Sequence, residues 1–315
     1  MCKSHVSAAP CILLLMAGAG AALAAQESRD GLMPKDVSGD ALRVLQAVTS
    51  GNFPAAENEV HQLLARKPGS AEPFFWRGYI SLRQGKFYDA IRALRQAESV
   101  DPNSFVLKAL AVSYHGAHQN RLFLIKMHSA QQKQPSDFAP YYYLGSYYSS
   151  DESDFSQAGG YLRQAIARQP DHIPSHAALG FCYEQQQQPE QAEAEYRLAL
   201  RLADAQNSND GIGYQGLARL RLAANHPEEA LPFAQRAVAL APRNSAARKL
   251  LARAYSQLGR NAQAVTEWKI SSGLDPADAT TLYRLSRGYQ SLGLTREAQA
   301  ALAQYRKIAR LYGTN

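Results

Sequence analysis

The stretch Ser245–Asp278 reads SAARKLLARAYSQLGRNAQAVTEWKISSGLDPAD and is the clearest copy of a unit that repeats along the chain. Leu251 and Tyr255 stand four positions apart, so a helix places both side chains on one face. Gly259 predicts the end of this helix, because glycine adopts a left-handed backbone conformation at little steric cost. A second helical run follows and stops before Pro276, since proline cannot continue the hydrogen-bond ladder. The stretch therefore predicts a helix–turn–helix hairpin.

The hairpin recurs with a period close to 34 residues, and the period shows in the prolines that close each copy. These closing residues are Pro68, Pro102, Pro135, Pro170, Pro242 and Pro276. The first four are 34, 33 and 35 positions apart, and the last two are 34 apart. The longer interval in the middle holds two units. We assign its extra residues to a polar loop at 204–210, which is a candidate seam and hinge between repeats.

The copies share residue types at fixed positions, and with the 34-residue period these carry a resemblance. The chain's first helices carry a leucine, then a small residue and, three positions later, a tyrosine, as in Leu110, Ala111 and Tyr114; in this pattern the chain resembles the tetratricopeptide-repeat (TPR) family. Its second helices carry a small residue, a large one four positions later and another small one, as across residues 90–97. Several copies match in phase, and a period of about 34 residues with two helices is typical of this family.

The resemblance implies an all-α fold, a right-handed α-solenoid of about eight helix–turn–helix repeats across residues 37–312. The first unit matches the pattern poorly and the last ends in a charged helix. Such irregular ends suit a solenoid, because its terminal units must present a polar face to water. Residues 313–315 then form a short tail.

The first 25 residues have the composition of a secretory signal peptide. Lys3 supplies a positive charge, an apolar stretch of about 15 residues follows, and Ala22–Ala24 offers a cleavage site. That stretch is shorter than the roughly 20 apolar residues that cross a bilayer. We therefore predict a signal peptide at 1–25, a linker at 26–36 and an exported bacterial protein, periplasmic or secreted, with no transmembrane segment in the mature chain. An uncleaved membrane anchor is the alternative.

Positive charge is concentrated in the C-terminal third of the chain. The formal net charge is +7, yet the residues from Gly211 onward carry 15 Lys and Arg against 6 Asp and Glu. A basic surface of this kind attracts acidic proteins, anionic lipids or nucleic acids. We expect no nucleic-acid partner, because an exported protein rarely meets one.

The sequence offers no set of polar residues that would indicate a catalytic or metal site. His172 and His176 stand four positions apart, but no acidic or cysteine ligand accompanies them at a metal-binding spacing. Phosphate-binding, dinucleotide-binding and nucleophile-elbow motifs are absent from the sequence. We therefore predict no catalytic residues, no metal and no cofactor, and we expect no small-molecule ligand.

In the TPR family the first helices of successive repeats line a concave groove, so the resemblance implies which side chains face a ligand. The predicted groove residues are Phe75, Tyr79, Tyr142, Phe181, Arg219, Lys249, Arg253, Tyr283 and Arg287. The groove would be aromatic at its N-terminal end and basic at its C-terminal end. Arg219, Arg253 and Arg287 recur at 34-residue spacing and would form a ladder suited to carboxylates, which arginine binds in bidentate fashion. A solvated basic surface without a ligand is the alternative.

Together these features predict an exported TPR scaffold, not an enzyme, that binds an acidic or aromatic-bearing polypeptide segment in its groove during envelope assembly or export. A second hypothesis is that the groove holds an anionic polysaccharide, a lipid headgroup or another polyanion, with the tyrosines stacking on the ligand. Binding of either ligand would weaken with added salt, so competition by a generic polyanion is the test that separates the two hypotheses.

Overall fold

The computed structural model describes residues 31–33, 37 and 39–312, and this part of the chain folds into sixteen α-helices without a β-strand. The helices are α1 (Asp40–Thr49), α2 (Phe53–Arg66), α3 (Ala71–Arg83), α4 (Phe87–Val100), α5 (Ser104–Gly116), α6 (Asn120–Lys133), α7 (Ala139–Ser150), α8 (Phe155–Arg168), α9 (Ile173–Gln185), α10 (Pro189–Ala205), α11 (Ile212–Ala223), α12 (Pro227–Leu240), α13 (Ser245–Gln257), α14 (Asn261–Leu274), α15 (Ala279–Ser291) and α16 (Thr295–Tyr312). The all-α helical repeat fold predicted from the sequence is confirmed. The predicted signal peptide at 1–25 and the tail at 313–315 lie outside the described residues.

The helices follow one another as hairpins, in which each first helix packs on the second helix that comes after it. First helices of some neighbouring hairpins also touch, as α1 touches α3, α3 touches α5 and α11 touches α13. In the stretch that predicted a hairpin, α13 and α14 meet at Gly259, whose φ is +70°. None of the described helices combines the length and apolar character that crossing a membrane requires.

Polar side chains that follow the closing prolines begin several of the first helices. The Oδ1 atom of Asn103 accepts a hydrogen bond from the backbone N–H of Val106 at 3.0 Å. Asn244 accepts one from the N–H of Ala247 in the same way, at 3.1 Å. Such N-caps satisfy amides that the first turn of a helix leaves without partners. The proline ends one hairpin and the cap begins the next, which keeps the period close to 34 residues.

The turn inside each hairpin requires one residue with a left-handed backbone. Four turns use glycine and four use another residue, with φ between 54° and 74° in the set Gly51, Gly85, His118, Ser153, Gln187, Asn225, Gly259 and Gly293. A side chain in this region brings Cβ too close to the following carbonyl, so the four non-glycine turns carry local strain.

The small residue after the leucine of a first helix marks a close approach between two helices. A Cβ atom added at Gly145 would lie 2.7 Å from Cγ of Leu162, and one added at Gly180 would lie 2.8 Å from Cε1 of Tyr196. Neither distance is possible between real carbon atoms without movement of the neighbour. The small residue that the sequence pattern required is therefore confirmed at these crossings.

The chain divides into two compact units, the first ending at Ala178 and the second beginning at Leu179, within α9. The predicted polar loop lies inside the second unit, between α10 and α11. Helix α10 continues through Ala205, so the first two residues of that predicted loop, 204 and 205, are helical. The hinge proposed at 204–210 stays a prediction.

Candidate functional site

The aromatic residues predicted for the N-terminal end of the groove lie in the interior of the first unit. Phe75, Tyr79 and Tyr142 are only 7%, 1% and 6% exposed. Phe75 stacks on Tyr79 with ring centroids 6.1 Å apart, and Trp76 meets both rings edge-on. These rings pack against protein and not against solvent, so a direct contact between them and a ligand stays a prediction.

Part of the segment assigned to a linker is buried in the first unit. Leu32 and Met33 are buried, and the carbonyl oxygen of Gly31 accepts a hydrogen bond from Nζ of Lys108 on α5. The same Nζ atom lies 2.5 Å from Oδ2 of Asp137, just before α7. Sequence reasoning missed this contact. The available signal was a lysine inside the apolar run of α5, where an unpaired charge would be costly.

Arg219, the first member of the predicted arginine ladder, is bound inside the second unit. Its Nε atom lies 2.8 Å and 2.9 Å from the two carboxylate oxygens of Glu184, and its Nη2 donates to the hydroxyl of Tyr196 at 2.6 Å. Its guanidinium carbon also stands 5.0 Å from the ring centre of Phe181, which is half-buried. Burial opposes the charge of Arg219, but Tyr196 and Glu184 hold its pKa above the ordinary value.

The ring of Tyr196 is fixed by two glycines that flank it. A Cβ at Gly216 would lie 2.4 Å from Cδ1 of Tyr196, and Gly180 approaches the same ring from α9. The tyrosine hydroxyl in turn donates to Oε2 of Glu184 at 3.0 Å, and burial raises the pKa of Tyr196. The position of Arg219 is therefore determined by packing of α9, α10 and α11, and its charge is largely compensated.

Lys249 is paired as well, but it remains partly open to solvent. Its Nζ atom donates to Oδ2 of Asp278 at 2.8 Å, and 36% of its side chain is exposed. Asp278 also caps α15 through the N–H and hydroxyl of Thr281. Burial alone would raise the pKa of Asp278, but the bonds from Lys249 and Thr281 lower it below the ordinary value of 3.8.

The remaining predicted arginines stand on the exposed side of α13 and α15. Arg253 is exposed, and its Nη2 donates to the carbonyl oxygen of Leu222 at the end of α11, at 3.2 Å. Desolvation lowers the pKa of Arg253, and the nearby charge of Arg284 lowers it further. Arg284 and Arg287 are exposed and form no ion pair or hydrogen bond with any described residue. We call Lys249, Arg253, Arg284 and Arg287 the basic face.

Tyr283 borders the basic face on α15. It is 41% exposed, and its ring packs against Tyr305 of α16 with centroids 5.6 Å apart. Of the predicted groove residues, one lysine, two arginines and one tyrosine of the second unit lie on the first helices of two consecutive hairpins, which the Lys249–Asp278 ion pair links. Arg219 and Phe181 form a separate, internally bonded group, and sequence spacing alone gave no sign of that difference.

The histidines that suggested a metal site have protein partners. His172 Nδ1 lies 2.7 Å from Oγ of Ser175, and His176 Nε2 lies 2.8 Å from the carbonyl oxygen of Pro170. Within the described part of the chain, no three His, Cys, Asp or Glu side chains are grouped as metal ligands would be. These histidines therefore have structural contacts in the first unit.

Comparison with known families agrees with the repeat architecture. Family models described as "Tetratricopeptide repeat" match residues 42–104, 150–220 and 221–267, more than half of the chain. The chain therefore belongs to the tetratricopeptide-repeat family. Proteins of this family bind peptide or protein partners and are generally scaffolds without catalytic activity.

One curated relative is "Cellulose synthase operon protein C" of Xanthomonas axonopodis pv. citri (strain 306). It is 27% identical over 265 residues, which cover 82% of this chain but 16% of the relative. The chain thus spans about a sixth of the length of the curated relative that it matches.

Several solved structures share the fold. A chain of the APC/C hetero-tetramer Cut9-Hcn1 has a TM-score of 0.69 at 17% identity, with 78% of this chain and 48% of that chain covered. Yeast Tom70 has a TM-score of 0.64 at 14% identity, with 91% and 66% covered. A tetratricopeptide repeat protein from Parabacteroides merdae has a TM-score of 0.62 at 15% identity, with 83% and 99% covered. At these identities the likeness concerns the fold alone.

Proposed function

We propose that the chain is an exported scaffold, without catalytic activity, that binds an acidic segment of a polypeptide partner on the basic face of its second unit. The observation that carries this proposal is the pair Arg253 and Arg287. These arginines stand 34 positions apart on α13 and α15, and both are exposed. Neither forms an ion pair with a described carboxylate.

The guanidinium group of Arg284 stands close enough to Arg253 to lower its pKa, and a bound anion relieves this repulsion between like charges. Arginine binds carboxylates through two parallel N–H···O bonds, which lysine cannot do. A row of such groups at the repeat spacing suits an extended chain with acidic residues, because the ligand can run across successive first helices. Tyr283 at the border adds an aromatic surface that an apolar or aromatic side chain of the same ligand can contact.

We place the scaffold in the cell envelope, where it contributes to assembly or export. The predicted signal peptide at 1–25 supports export. The curated relative is named for a cellulose synthase operon, and this name supports a link to a polysaccharide-producing system of the envelope. Because the chain corresponds to a small part of that relative, the activity of the relative as a whole is not assigned to this chain.

The second candidate is that the basic face binds an anionic polysaccharide directly, or a lipid headgroup or another polyanion. The operon named in the relative concerns a saccharide, but cellulose itself is uncharged, so the basic face would suit an acidic saccharide and not cellulose. The same arginines and Tyr283 would hold it, because carboxylated sugars present the same charge as acidic side chains. This candidate differs from the first in its response to a flexible polyanion that has no peptide backbone.

The test uses the full chain and a fluorescein-labelled peptide of about 12 residues with alternating glutamate and alanine, followed by anisotropy at low salt. The variant Arg253→Gln/Arg287→Gln removes two charges but keeps an amide donor for the carbonyl of Leu222. The control Lys269→Gln/Arg306→Gln removes two exposed charges from the second helices α14 and α16. We expect binding about tenfold weaker in the variant, because two exposed ion pairs contribute about 0.5–1 kcal/mol each, and about twofold or less in the control.

Equal binding by both variants would show that the basic face is only a solvated surface. Alginate serves as the competitor that separates the two candidates. If alginate displaces the peptide from the parent chain at matched carboxylate concentration, the face recognises polyanions in general and the second candidate is favoured. If alginate does not displace the peptide, the first candidate, a polypeptide ligand, is favoured.

A further inference from the structure

The chain's own Gly31–Met33 segment lies in a contact that resembles a bound peptide. Leu32 and Met33 are 6% and 3% exposed, although they stand only a few residues before the first helix. The backbone carbonyl of Gly31 accepts a hydrogen bond from the side chain of Lys108, 77 positions later. A main-chain carbonyl and buried apolar side chains are elements by which a protein can hold a peptide segment.

Lys108 lies in a set of buried polar groups that are paired with one another. Its side chain is 1% exposed, and that of its partner Asp137 is 9% exposed. Asp137 is held in turn by the N–H of Ala139, which donates to Oδ1 at 3.0 Å. A buried ammonium group must be paired and hydrogen-bonded, and here one carboxylate and one carbonyl accept from it. The Gly31 carbonyl thus completes the coordination of a charge that the fold places inside the first unit.

The site also selects the residue at position 31. Gly31 has a φ of +70°, and a Cβ atom there would lie 2.5 Å from Cβ of Ala139 and 3.0 Å from Cε1 of Phe138. Both the backbone conformation and the space therefore require glycine. The sequence that fits is glycine followed by two apolar residues, which is a more specific requirement than burial of any hydrophobic segment.

The second unit contains the same lysine–aspartate pair in an open form. Lys108 and Asp137 are 29 positions apart, as are Lys249 and Asp278, and each lysine stands two positions before the leucine of its repeat pattern. The Lys249 side chain is 36% exposed, against 1% for Lys108. The two lysines thus differ in burial, and the buried one, Lys108, is the one that also contacts the carbonyl of Gly31.

We propose that the Lys108–Asp137 site is a polypeptide-binding site and that Gly31–Met33 is its internal ligand, which a partner segment with glycine followed by two apolar residues displaces. This inference goes beyond the proposed function, because it involves other residues and an uncharged ligand. Burying two apolar side chains gains free energy of the same order as the entropy lost in ordering the segment, so the internal ligand is exchangeable.

The experiment measures whether an external copy of the segment can take the place of the internal one. The probe is a fluorescein-labelled peptide with the sequence of residues 29–37, RDGLMPKDV. It is titrated into the full chain and into the full-length variant Leu32→Asp/Met33→Asp, which cannot bury its own segment. We expect the variant to bind the probe at least about tenfold more tightly than the parent chain. Equal affinity for both chains, or no binding to either, overturns the proposal.

Two controls identify the site, one by a change in the probe and one by a change in the chain. A second probe, RDALMPKDV, carries alanine in place of the glycine, and it should not bind the Leu32→Asp/Met33→Asp chain. Equal binding of both probes would overturn the proposed site. Gly31→Ala in the chain should also release the segment and raise affinity for the first probe. Gly85 has a similar φ of +72°, but no atom lies near an added Cβ there. Gly85→Ala should therefore leave the affinity for the first probe at the level of the parent chain.

The result is distinguishable from failure of the proposed function. Adding Arg253→Gln/Arg287→Gln to the Leu32→Asp/Met33→Asp chain should leave binding of RDGLMPKDV unchanged. If those arginine changes remove binding, the peptide occupies the basic face and the Lys108 site is rejected. If the acidic peptide fails to bind but RDGLMPKDV still binds the open chain, the Lys108 site stands and the proposed function of the basic face fails.

Discussion

The Nε atom of Arg219 lies 2.8 Å from Oε2 and 2.9 Å from Oε1 of Glu184, on the preceding first helix. Tyr196 completes this group through hydrogen bonds to both residues. Arg287, which occupies the same place in its own repeat, has no such partner among the described residues. Two arginines that look equivalent in the sequence therefore differ in their surroundings, since one is bonded to two neighbouring helices and the other is exposed.

Arg219→Ala should destabilise the fold, whereas Arg287→Ala should have little effect. Loss of Arg219 leaves Glu184, which is 12% exposed, without its counter-charge. Because Arg219 itself is 32% exposed, solvent screens part of the effect, and we expect a loss of about 1–2 kcal/mol in unfolding free energy. For Arg287→Ala we expect a change of about 0.5 kcal/mol or less. Urea unfolding measures both, and equal losses would contradict the assignment.

Gly216→Ala and Gly160→Ala should change stability in opposite directions. The new methyl group at position 216 would lie 2.4 Å from Tyr196, so the ring that supports Arg219 must move. We expect a loss of about 1–3 kcal/mol. Gly160 lies within α8 with no atom near the added Cβ, and alanine should stabilise that helix by about 0.5–1 kcal/mol. Thermal unfolding of the two variants is the measurement, and a shared sign would contradict the packing described.

Gln187→Gly should stabilise the second unit. Gln187 occupies the left-handed turn position of its hairpin with φ 61°, where a side chain is strained by about 1–2 kcal/mol. Glycine removes the strain but loses more entropy on folding, so a net gain of about 0.5–1 kcal/mol is expected. The neighbouring Gln188→Gly is the control, because φ is −115° there. If both variants lose stability, the turn strain is absent.

Acid should weaken the Lys249–Asp278 pair in a defined pH range. The folded-state pKa of Asp278 lies below the unfolded value of 3.8, so the folded state takes up a proton less readily than the unfolded state. The stability from this carboxylate is complete above the unfolded value and is lost as pH falls through the folded-state pKa. Asp278→Asn should therefore show a smaller loss of stability than the parent chain when pH falls below 3.8.

Two substitutions at position 278, Asp278→Asn and Asp278→Ala, separate the effect of the charge from the effect of the helix cap. Asn keeps an oxygen that can accept from the N–H of Thr281, whereas Ala does not. At neutral pH, Asp278→Ala should thus be less stable than Asp278→Asn by about 1 kcal/mol. Urea unfolding at neutral pH and again below the unfolded pKa tests both statements. An unchanged acid profile in Asp278→Asn would contradict the role given to the pair.

The helices and their order follow from local signals in the sequence. Apolar periodicity places Leu251 and Tyr255 on one face, and Pro276 forbids continuation of α14, so the hairpin needs no long-range information. The left-handed turns without glycine, such as Gln187, could be located only because the repeat length fixes their position. Boundaries were less predictable, as at the end of α10, since tertiary contacts extend a helix beyond its local preference.

The repeat pattern could not predict which charged side chains are paired and which are exposed. Arg219 is neutralised by Glu184 because two glycines hold the Tyr196 ring between them, and that is a three-dimensional condition. The docking of Gly31 on Lys108 joins residues 77 positions apart, for which the repeat provides no template. Predicting either contact requires knowing which faces of the first helices are already covered.

The most direct test of binding at the basic face is to map where an acidic polypeptide touches the chain. A peptide of about 12 residues with alternating glutamate and alanine and one central benzoylphenylalanine is irradiated with the full chain at low salt, and cross-linked residues are identified by mass spectrometry. We predict cross-links on α13 and α15 around Arg253, Tyr283 and Arg287, with loss of these cross-links in Arg253→Gln/Arg287→Gln. Cross-links confined to the second helices α14 and α16, or scattered over the surface, would contradict it.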